Sequence, residues 1–524
     1  MPLTASSSIL LHAAQDAVLI WLSLVLLPLS SFILSCSHAI RLFYSPAELQ
    51  TRRQNRSLPS HIFQPRTLLV TGVGMTKGLA LARNFYQAGH NVIGADFEPA
   101  YLPISSGRVS KSLKTFYRLH RPGGGRVGAQ AYSNRLLEII RRENVDIWVS
   151  CSGVASAIED GYAKELVEEL TRCKAIQFDV ATTERLHEKH NFIEYVRDLG
   201  LSVPDTYTVR SKKALMRVLH DNAGSGKQYV LKYIGTDDSV RGDMTLLPLR
   251  TTEQTEAHVS KLSISDDRPW VLQQFISGPE YCTHALVIAG QVKAFVACPS
   301  SELLMHYIAL PPKSNLTQSM LRFTREVAAA GGSSFSGHCS FDFLVDEHDA
   351  VAGMREDGKD VKLYPIECNP RAHTAVALFK NTPEMADAYM TLLDKTANTS
   401  AAKGKGDSRA PNGLAKQPLF PIEPPKIYWL GHDLISRLML PILSLFVLQT
   451  DLSTAQHQLT EALEHLLSWH EGAFELWDPW PALWLYHVYW PAQFAIALVQ
   501  LLVHLGGQGK WSRVNVSTCK MFMC

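Results

Sequence analysis

The residue types best suited to chemistry lie between His338 and His373, above all in the stretch Ile366-Glu367-Cys368-Asn369-Pro370-Arg371. Two runs there, residues 339–345 and 361–368, have the apolar texture of strands. Alternation along a strand sends every second side chain to one face, so Glu367 and Asn369 point the same way. Asp342 lies mid-strand among apolar neighbours, where an unpaired carboxylate is costly. Two carboxylates and an amide oxygen form a hard, oxygen-only ligand set that suits Mg²⁺, with phosphate oxygens and water completing the shell. Arg371 adds a cation able to grip a phosphate or carboxylate in two-pronged fashion. The same residues also permit a plainer arrangement, a buried strand acid paired with Arg371 and an asparagine turn before Pro370.

Groups upstream could serve an anionic ligand. Lys232 lies inside the apolar strand-like run 229–234, where its ammonium must either reach solvent or meet an anion. The polar loop 235–242 that follows could close over phosphates with backbone N–H groups and Arg241, although such a loop alone is equally a hairpin end. A third run, from Trp270 through Gln273, Gln274, Phe275 and Ile276, breaks at Gly278-Pro279. Apolar and amide groups at such a break can line a flat purine pocket, with Glu280 free to accept sugar hydroxyls. Lys189, taken alone, is a solvated helix lysine. The turn Gly72-Val-Gly-Met-Thr-Lys77-Gly78 follows a buried-type strand and opens a helix. A dinucleotide site with Asp96 on the ribose is disfavoured, because Lys77 stands where the third glycine belongs and Gly78 comes one place late. A tight turn whose helix N-terminus helps hold an anionic substrate fits better.

These groups need elements to position them. Residues 66–160 alternate strands and helices, which implies a parallel sheet with ligands at strand C-terminal ends. Residues 180–225 read as helical with short turns, and from Tyr229 the texture turns to antiparallel β, with a hairpin centred on Ala289-Gly290. Residues 394–426, rich in Lys, Gly, Ser, Ala and Pro, read as a flexible linker. Residues 427–524 are Trp-, Leu- and His-rich and mostly helical, with apolar runs at 434–448 and 484–505 interrupted by Pro441 and Pro491. His487 and His504 within those runs are expected to satisfy a core or interface rather than a metal.

At 524 residues the chain has room for about three domains with proper cores. A formal charge of +2 gives no argument for nucleic acid. Nine cysteines, none in a Cys-x-x-Cys pair, read as free thiols of a reducing compartment. Residues 17–37 carry no charge and are long enough to span a bilayer, and Arg41, Arg52, Arg53 and Arg56 after them place the bulk of the chain in the cytosol. The sequons at Asn315 and Asn398 then stay unmodified, and the apolar tail could rest on the same membrane.

The order of these pieces resembles the ATP-grasp superfamily. It is most similar to the mycosporine-glycine synthase group, which looks like a relative of the D-alanine–D-alanine ligases. The resemblance is carried by Gly74-Met-Thr-Lys77, Cys151-Ser152 with Val154-Ala155-Ser156, Asp238-Ser239-Val240-Arg241, and Gln273-x-Phe275-Ile276-x-Gly278-x-Glu280-x-Cys282-Thr283-His284. Ile366 to Arg371 followed by His373, and Tyr428-Trp429, complete it. It covers roughly residues 65–395. The fold class it implies is α/β plus α+β, an ATP-grasp fold. Residues 1–60 then form an anchor helix and linker, 61–178 an α/β substrate domain, 179–395 the ATP-grasp domain, 396–426 a linker, and 427–524 a helical C-terminal region.

The resemblance further implies that Lys189 and Lys232 bind ATP at its phosphates and adenine. Gln274 and the backbone to Ile276, with Gln273 and Phe275, form the adenine hinge, and Glu280 holds the ribose. Relatives often carry Glu at the position of Gln274. Asp342, Glu367 and Asn369 hold Mg²⁺, or Mn²⁺ in its place, and Arg371, Lys232 and Arg241 are the catalytic cations. The expected activity is an ATP-dependent carbon–nitrogen ligase of natural-product synthesis, joining an amino acid's amine to a phosphorylated carboxylate or enol. The alternative is a membrane-associated nucleotide-binding protein without turnover. The expected partners are a small acceptor, an amino acid, ATP and a membrane, with no nucleic acid; a homodimer is left open.

Overall fold

The computed structural model describes residues 9–43, 47–99, 101–151, 153, 156–233, 245–300, 306–393 and 417–505. Among the described residues three larger sheets follow one another, and a two-stranded pair, Ile427–Tyr428 with His470–Glu471, lies in the C-terminal region. β1 (Thr67–Thr71), β2 (Asn91–Phe97), β3 (Thr115–Leu119), β4 (Ile147–Ser150) and β5 (Lys174–Ile176) form a parallel sheet in the order β3-β2-β1-β4-β5. Its central strands are apolar in their middles and buried along nearly their whole length because both faces are covered, as parallel sheets require. β6 (Thr206–Val209), β7 (Tyr229–Tyr233) and β8 (Trp270–Gln274) form a small antiparallel sheet ordered β6-β8-β7, with its own core around Leu215, Tyr229, Leu247 and Trp270. β9 (Glu280–Ile288), β10 (Gln291–Pro299), β11 (Gly337–Leu344) and β12 (Tyr364–Asn369) form the third, ordered β10-β9-β11-β12. This is the α/β plus α+β arrangement expected above, with an apolar N-terminal helix and a helical C-terminal region added.

The β9–β10 hairpin turns at Ala289 and Gly290, with φ of 50° and 73°. Both central residues in the left-handed region suit a two-residue connection that matches strand twist. One face of the third sheet packs on helix Asn315–Gly331 through Phe341, Phe343, Met320 and Phe323. The other face joins the core of the parallel sheet through Cys282, Leu286, Val70 and Phe85. The third sheet therefore has one face inside its own lobe and the other against the N-terminal domain.

Four expectations differ in detail. Residues 180–225 are not all helical: β6 forms at Thr206–Val209, a four-residue run of alternating threonine with tyrosine and valine that pairs with β8. The first helix of the α/β domain spans Thr76–Gln87 and so takes Lys77 and Gly78 into its opening turn. The expected linker 394–426 lies partly outside the described residues, and residues 418–421 of it are packed, with the Leu419 backbone hydrogen-bonded to Lys293 and Phe295 beside β10. The helical runs near Pro441 and Pro491 are not interrupted there. A π-helical turn, Leu434–Met439 and then Leu485–Tyr489, precedes each proline, and the widened turn carries the helix past a residue with no N–H to give.

The C-terminal region is bolted to the α/β domain. Arg83 Nε donates to Asp478 Oδ2 at 3.0 Å, and Arg83 Nη2 donates to the carbonyls of Ala473 and Asp478. Ser110 Oγ and the Lys111 N–H close the remaining sites on the same carboxylate. Two helices are long and apolar enough to cross a membrane, Ile9–Phe43 and Trp480–Val503, where one had been expected. They pack on each other, yet Trp21, Leu24, Leu29 and Phe32 on the first and Val499 and Leu502 on the second stay exposed.

Candidate functional site

The β11–β12 register sets Asp342 directly opposite Glu367 and Ser340 opposite Asn369. Directly paired residues share a face, so Asp342, Glu367, Ser340 and Asn369 stand together. On the other side of β11, Asp342 pairs with Cys282 of β9, so Glu280 and His284, two residues either way, join the same face. The Asn369 Nδ2 donates to Asp342 Oδ2 at 3.2 Å and to Glu367 Oε1 at 3.1 Å. The three side chains singled out as a ligand set are thus one cluster. The plainer pairing is not what forms: among the described ion pairs neither carboxylate is bound to Arg371.

The charges in this cluster are unbalanced. Burial, and then the Glu367 carboxylate opposite, push the Asp342 carboxyl well above its ordinary range, and Glu280 adds to the push. Burial works to raise Glu367 as well, but the Lys189 ammonium, ion-paired to its Oε2, holds it below the usual range. Asp342 Oδ1 is buried with no hydrogen-bond partner, and so is Arg371 Nη1. Burial lowers the Arg371 pKa, while Glu367 and Asp342 work to raise it. An orphaned carboxylate oxygen inside a pair of mutually repelling carboxylates is what a bound divalent cation would satisfy, so the donor set fits Mg²⁺. Asn369 now turns its amide nitrogen to the acids; its oxygen would serve as ligand after the amide rotates.

The expected nucleotide groups fall as follows. Lys189 opens helix Lys189–Asp198 and reaches Glu367, so it belongs to the cluster although its local sequence looked like a solvated helix face. Lys232 sits on β7 opposite Val271. Arg241 and the rest of loop 235–242 lie outside the described residues. Gln273 is buried on β8 between Thr206 and Val230. Gln274 Oε1 accepts from the Asp205 N–H at 3.3 Å, so its side chain clamps β8 to the end of the preceding segment. The Phe275 N–H donates to Gln228, and Ile276 is buried. Gly278 then runs against Val345, where any side chain would meet the Val345 carbonyl at 1.9 Å. This close approach delivers Glu280 to the start of β9 beside the acids, with Ser300 Oγ donating to its Oε1 at 2.8 Å.

The glycine turn faces the same sheet. Gly74 N–H and Phe97 N–H both donate to Asp96, so that carboxylate is occupied by its own turn and not by a ribose. A side chain at Gly74 would meet Asp96 Oδ2 at 2.6 Å. Lys77 is buried, and its charge, after burial itself, keeps His338 and His373 neutral, with pKa values near 3. His284 is held well below its ordinary value, by burial and by its His338, His373 and Lys77 neighbours. His338 Nε2 lies 2.7 Å from Tyr389 Oη, and His284 Nδ1 accepts from the His373 N–H at 3.3 Å. His284 and His373 lie in the stretches that carry the resemblance, where neither has an assigned role, and His338 only bounds the strand region. The group's signal was available: His284 and His338 interrupt apolar strands at the same alternation phase as Asp342.

No family model matches the sequence, and no curated protein matches it. Among solved structures, similarity is found to an N5-carboxyaminoimidazole synthetase from Staphylococcus aureus complexed with ADP, at 12% identity over 60% of this chain and 72% of that one, TM-score 0.40. An L-amino acid ligase from Bacillus licheniformis is 16% identical over 60% and 69%, TM-score 0.37. The biotin carboxylase domain of a single-chain bacterial carboxylase is 17% identical over 68% and 71%, TM-score 0.42. Likeness of this degree carries no argument about chemistry, which rests on the residues.

Proposed function

We propose that the chain is an ATP-dependent carbon–nitrogen ligase. It would phosphorylate a carboxylate or enol oxygen and join that carbon to an amino acid's amine, releasing ADP and phosphate. The observation that carries this reading is the facing pair Asp342 and Glu367 with an orphaned buried oxygen, closed in by Asn369, Lys189 and Arg371. Mg²⁺ on Asp342, Glu367 and Asn369, or Mn²⁺ with the same donors, would supply neutralisation of the nucleotide's phosphate charge. The chain's own part is positioning and electrostatics. Lys189 would leave Glu367 for the phosphates, Lys232 would approach them from β7, and Arg241 would close over them. The segment Gln273 to Ile276 would hold adenine by its backbone, and Glu280 the ribose. Arg371, buried with an uncommitted N–H, would steady the phosphorylated acceptor, whose phosphate then leaves as the amine nitrogen bonds to carbon.

The role in a pathway follows the same proposal: a small natural product such as a mycosporine, or an amino-acid-derived alkaloid or peptide. The exposed apolar faces of helices Ile9–Phe43 and Trp480–Val503 support a membrane-associated enzyme whose catalytic domains lie on the cytosolic side. The test is product analysis with an amino acid and acceptor panel. ADP and phosphate released only when an amine is present, and lost in D342N and E367Q, would establish the reaction. AMP with pyrophosphate, or nucleotide binding without turnover in any combination, would overturn it.

A further inference from the structure

A second cluster of ligand-type side chains lies away from the nucleotide site. Asp433, at the end of the short helix Leu430–Asp433, is buried. Its Oδ1 is 2.6 Å from His306 Nε2 and its Oδ2 is 2.6 Å from His465 Nδ1. The two imidazole centroids lie 4.5 Å apart with the rings tilted at 60°, and one ligand atom from each of the three residues falls within 4.8 Å of the others. Trp469 packs on both rings and Tyr428 on His465. A buried carboxylate needs a compensating cation. Among the described ion pairs Asp433 meets no lysine or arginine, only these two histidines.

We propose that His306, Asp433 and His465 form a binding site for a divalent cation of the zinc class. Two imidazole nitrogens and one carboxylate are the donors zinc takes, and three protein ligands leave a fourth position for water. Asp433 offers one oxygen to each imidazole, and the three donor atoms lie close enough together for one ion to reach all of them. The three ligands come from sequence-distant segments: the stretch entering Tyr307, the start of the C-terminal region, and helix Leu452–Ser468. Tyr307 exchanges backbone hydrogen bonds with Ile427 and stands edge-on to both His373 and Trp429, each 5.8 Å away. The cation would therefore staple the C-terminal region to the wall that adjoins the buried histidines of the catalytic face. It does so independently of any nucleotide.

The experiment uses the full-length chain in detergent, stripped with a chelator and dialysed against zinc alone. Elemental analysis is expected to give one equivalent of zinc, retained in D342N and lost in D433N and H465A. Zinc is also expected to raise the thermal midpoint by several degrees in wild type and D342N. Should the variants fail to fold, cobalt substitution of the wild type decides, since a low-symmetry His₂Asp site gives an intense visible d–d spectrum that zinc bleaches. No tight zinc in the wild type, zinc lost in D342N but kept in D433N, or cobalt with only the faint spectrum of an octahedral aquo-type ion would each overturn the proposal.

Discussion

Asp342 and Glu367 face each other across two hydrogen-bonded strands, and a single amide nitrogen, from Asn369, bridges them. Asp342 has its folded pKa raised from an ordinary 3.8, so its ionised form costs stability once pH exceeds that value. Replacing it by an isosteric amide removes that cost at neutral pH. D342N is therefore expected to raise the thermal midpoint of the metal-free protein and to abolish the further rise that Mg-ATP gives the wild type. Differential scanning calorimetry with and without Mg-ATP checks both; an unchanged nucleotide response would show that Asp342 is not a ligand.

Lys189 holds Glu367, and in the function proposed above it exchanges that partner for phosphate when nucleotide binds. A charge-assisted contact made in ground and transition states alike affects KM more than kcat. K189M is expected to raise the KM for ATP by roughly tenfold or more, the scale of one such contact of about 1.5–3 kcal/mol, with a smaller change in kcat. Steady-state kinetics with the amine saturating separates the two. A fall in kcat alone would assign Lys189 to the chemical step.

How much of this could be read from the sequence depends on range. The facing carboxylates were legible because strand alternation is local: Glu367 and Asn369 are two residues apart, and Asp342 interrupts an apolar run. The hairpin at Ala289-Gly290 was legible for the same reason. Lys189 and Lys77 were not, since nothing near Lys189 announces Glu367, and Lys77 acquires its buried histidine neighbours only when two domains meet. The His306, Asp433 and His465 cluster joins residues up to 159 positions apart, and its spacing matches no metal motif. The π-turns before Pro441 and Pro491 were hidden by the ordinary rule that proline ends a helix.

The exposed apolar residues of helix Ile9–Phe43 make a membrane test direct. Leu24 and Phe32 face outward, whereas Leu19 is buried against the C-terminal helices. L24E with F32E places two charges on the outward face without touching the packed one, and each costs about 2.5–3.5 kcal/mol at bilayer depth. The double variant is expected to shift the protein from the vesicle pellet to the supernatant in co-sedimentation assays while keeping its thermal midpoint. L19E is expected to lower the midpoint instead, because it strikes packing.

Arg83 and Asp478 join the α/β domain to the C-terminal region through a buried ion pair in which every Asp478 oxygen is engaged. Removing one partner strands the other charge, a loss of about 3–5 kcal/mol, whereas removing both costs less. D478N is expected to be strongly destabilised in urea unfolding, and R83M combined with D478L to recover part of the loss. An additive double variant would mean that the two residues do not act as a pair.

Glu475 gives a pH dependence whose sign can be worked out. It is fully buried; burial works against its charge, but Lys380 at 2.9 Å and then His470 bring its pKa down from 4.5 to about 2. A depressed carboxylate stabilises the folded state above its unfolded value and loses that contribution as pH falls through the folded one. About 3 kcal/mol should therefore disappear between pH 4.5 and about 2, by the usual 1.36 kcal/mol per pKa unit. The neutral imidazoles of His338 and His373, depressed to about 3 from 6.5, add to the loss from pH 6.5 downward, because the unfolded chain takes up protons there first. E475Q should be less stable than wild type at pH 7 and should converge with it as pH drops below 4.5. Urea unfolding at stepped pH reads this out, and parallel curves for the two proteins would show that Lys380 does not hold Glu475 charged.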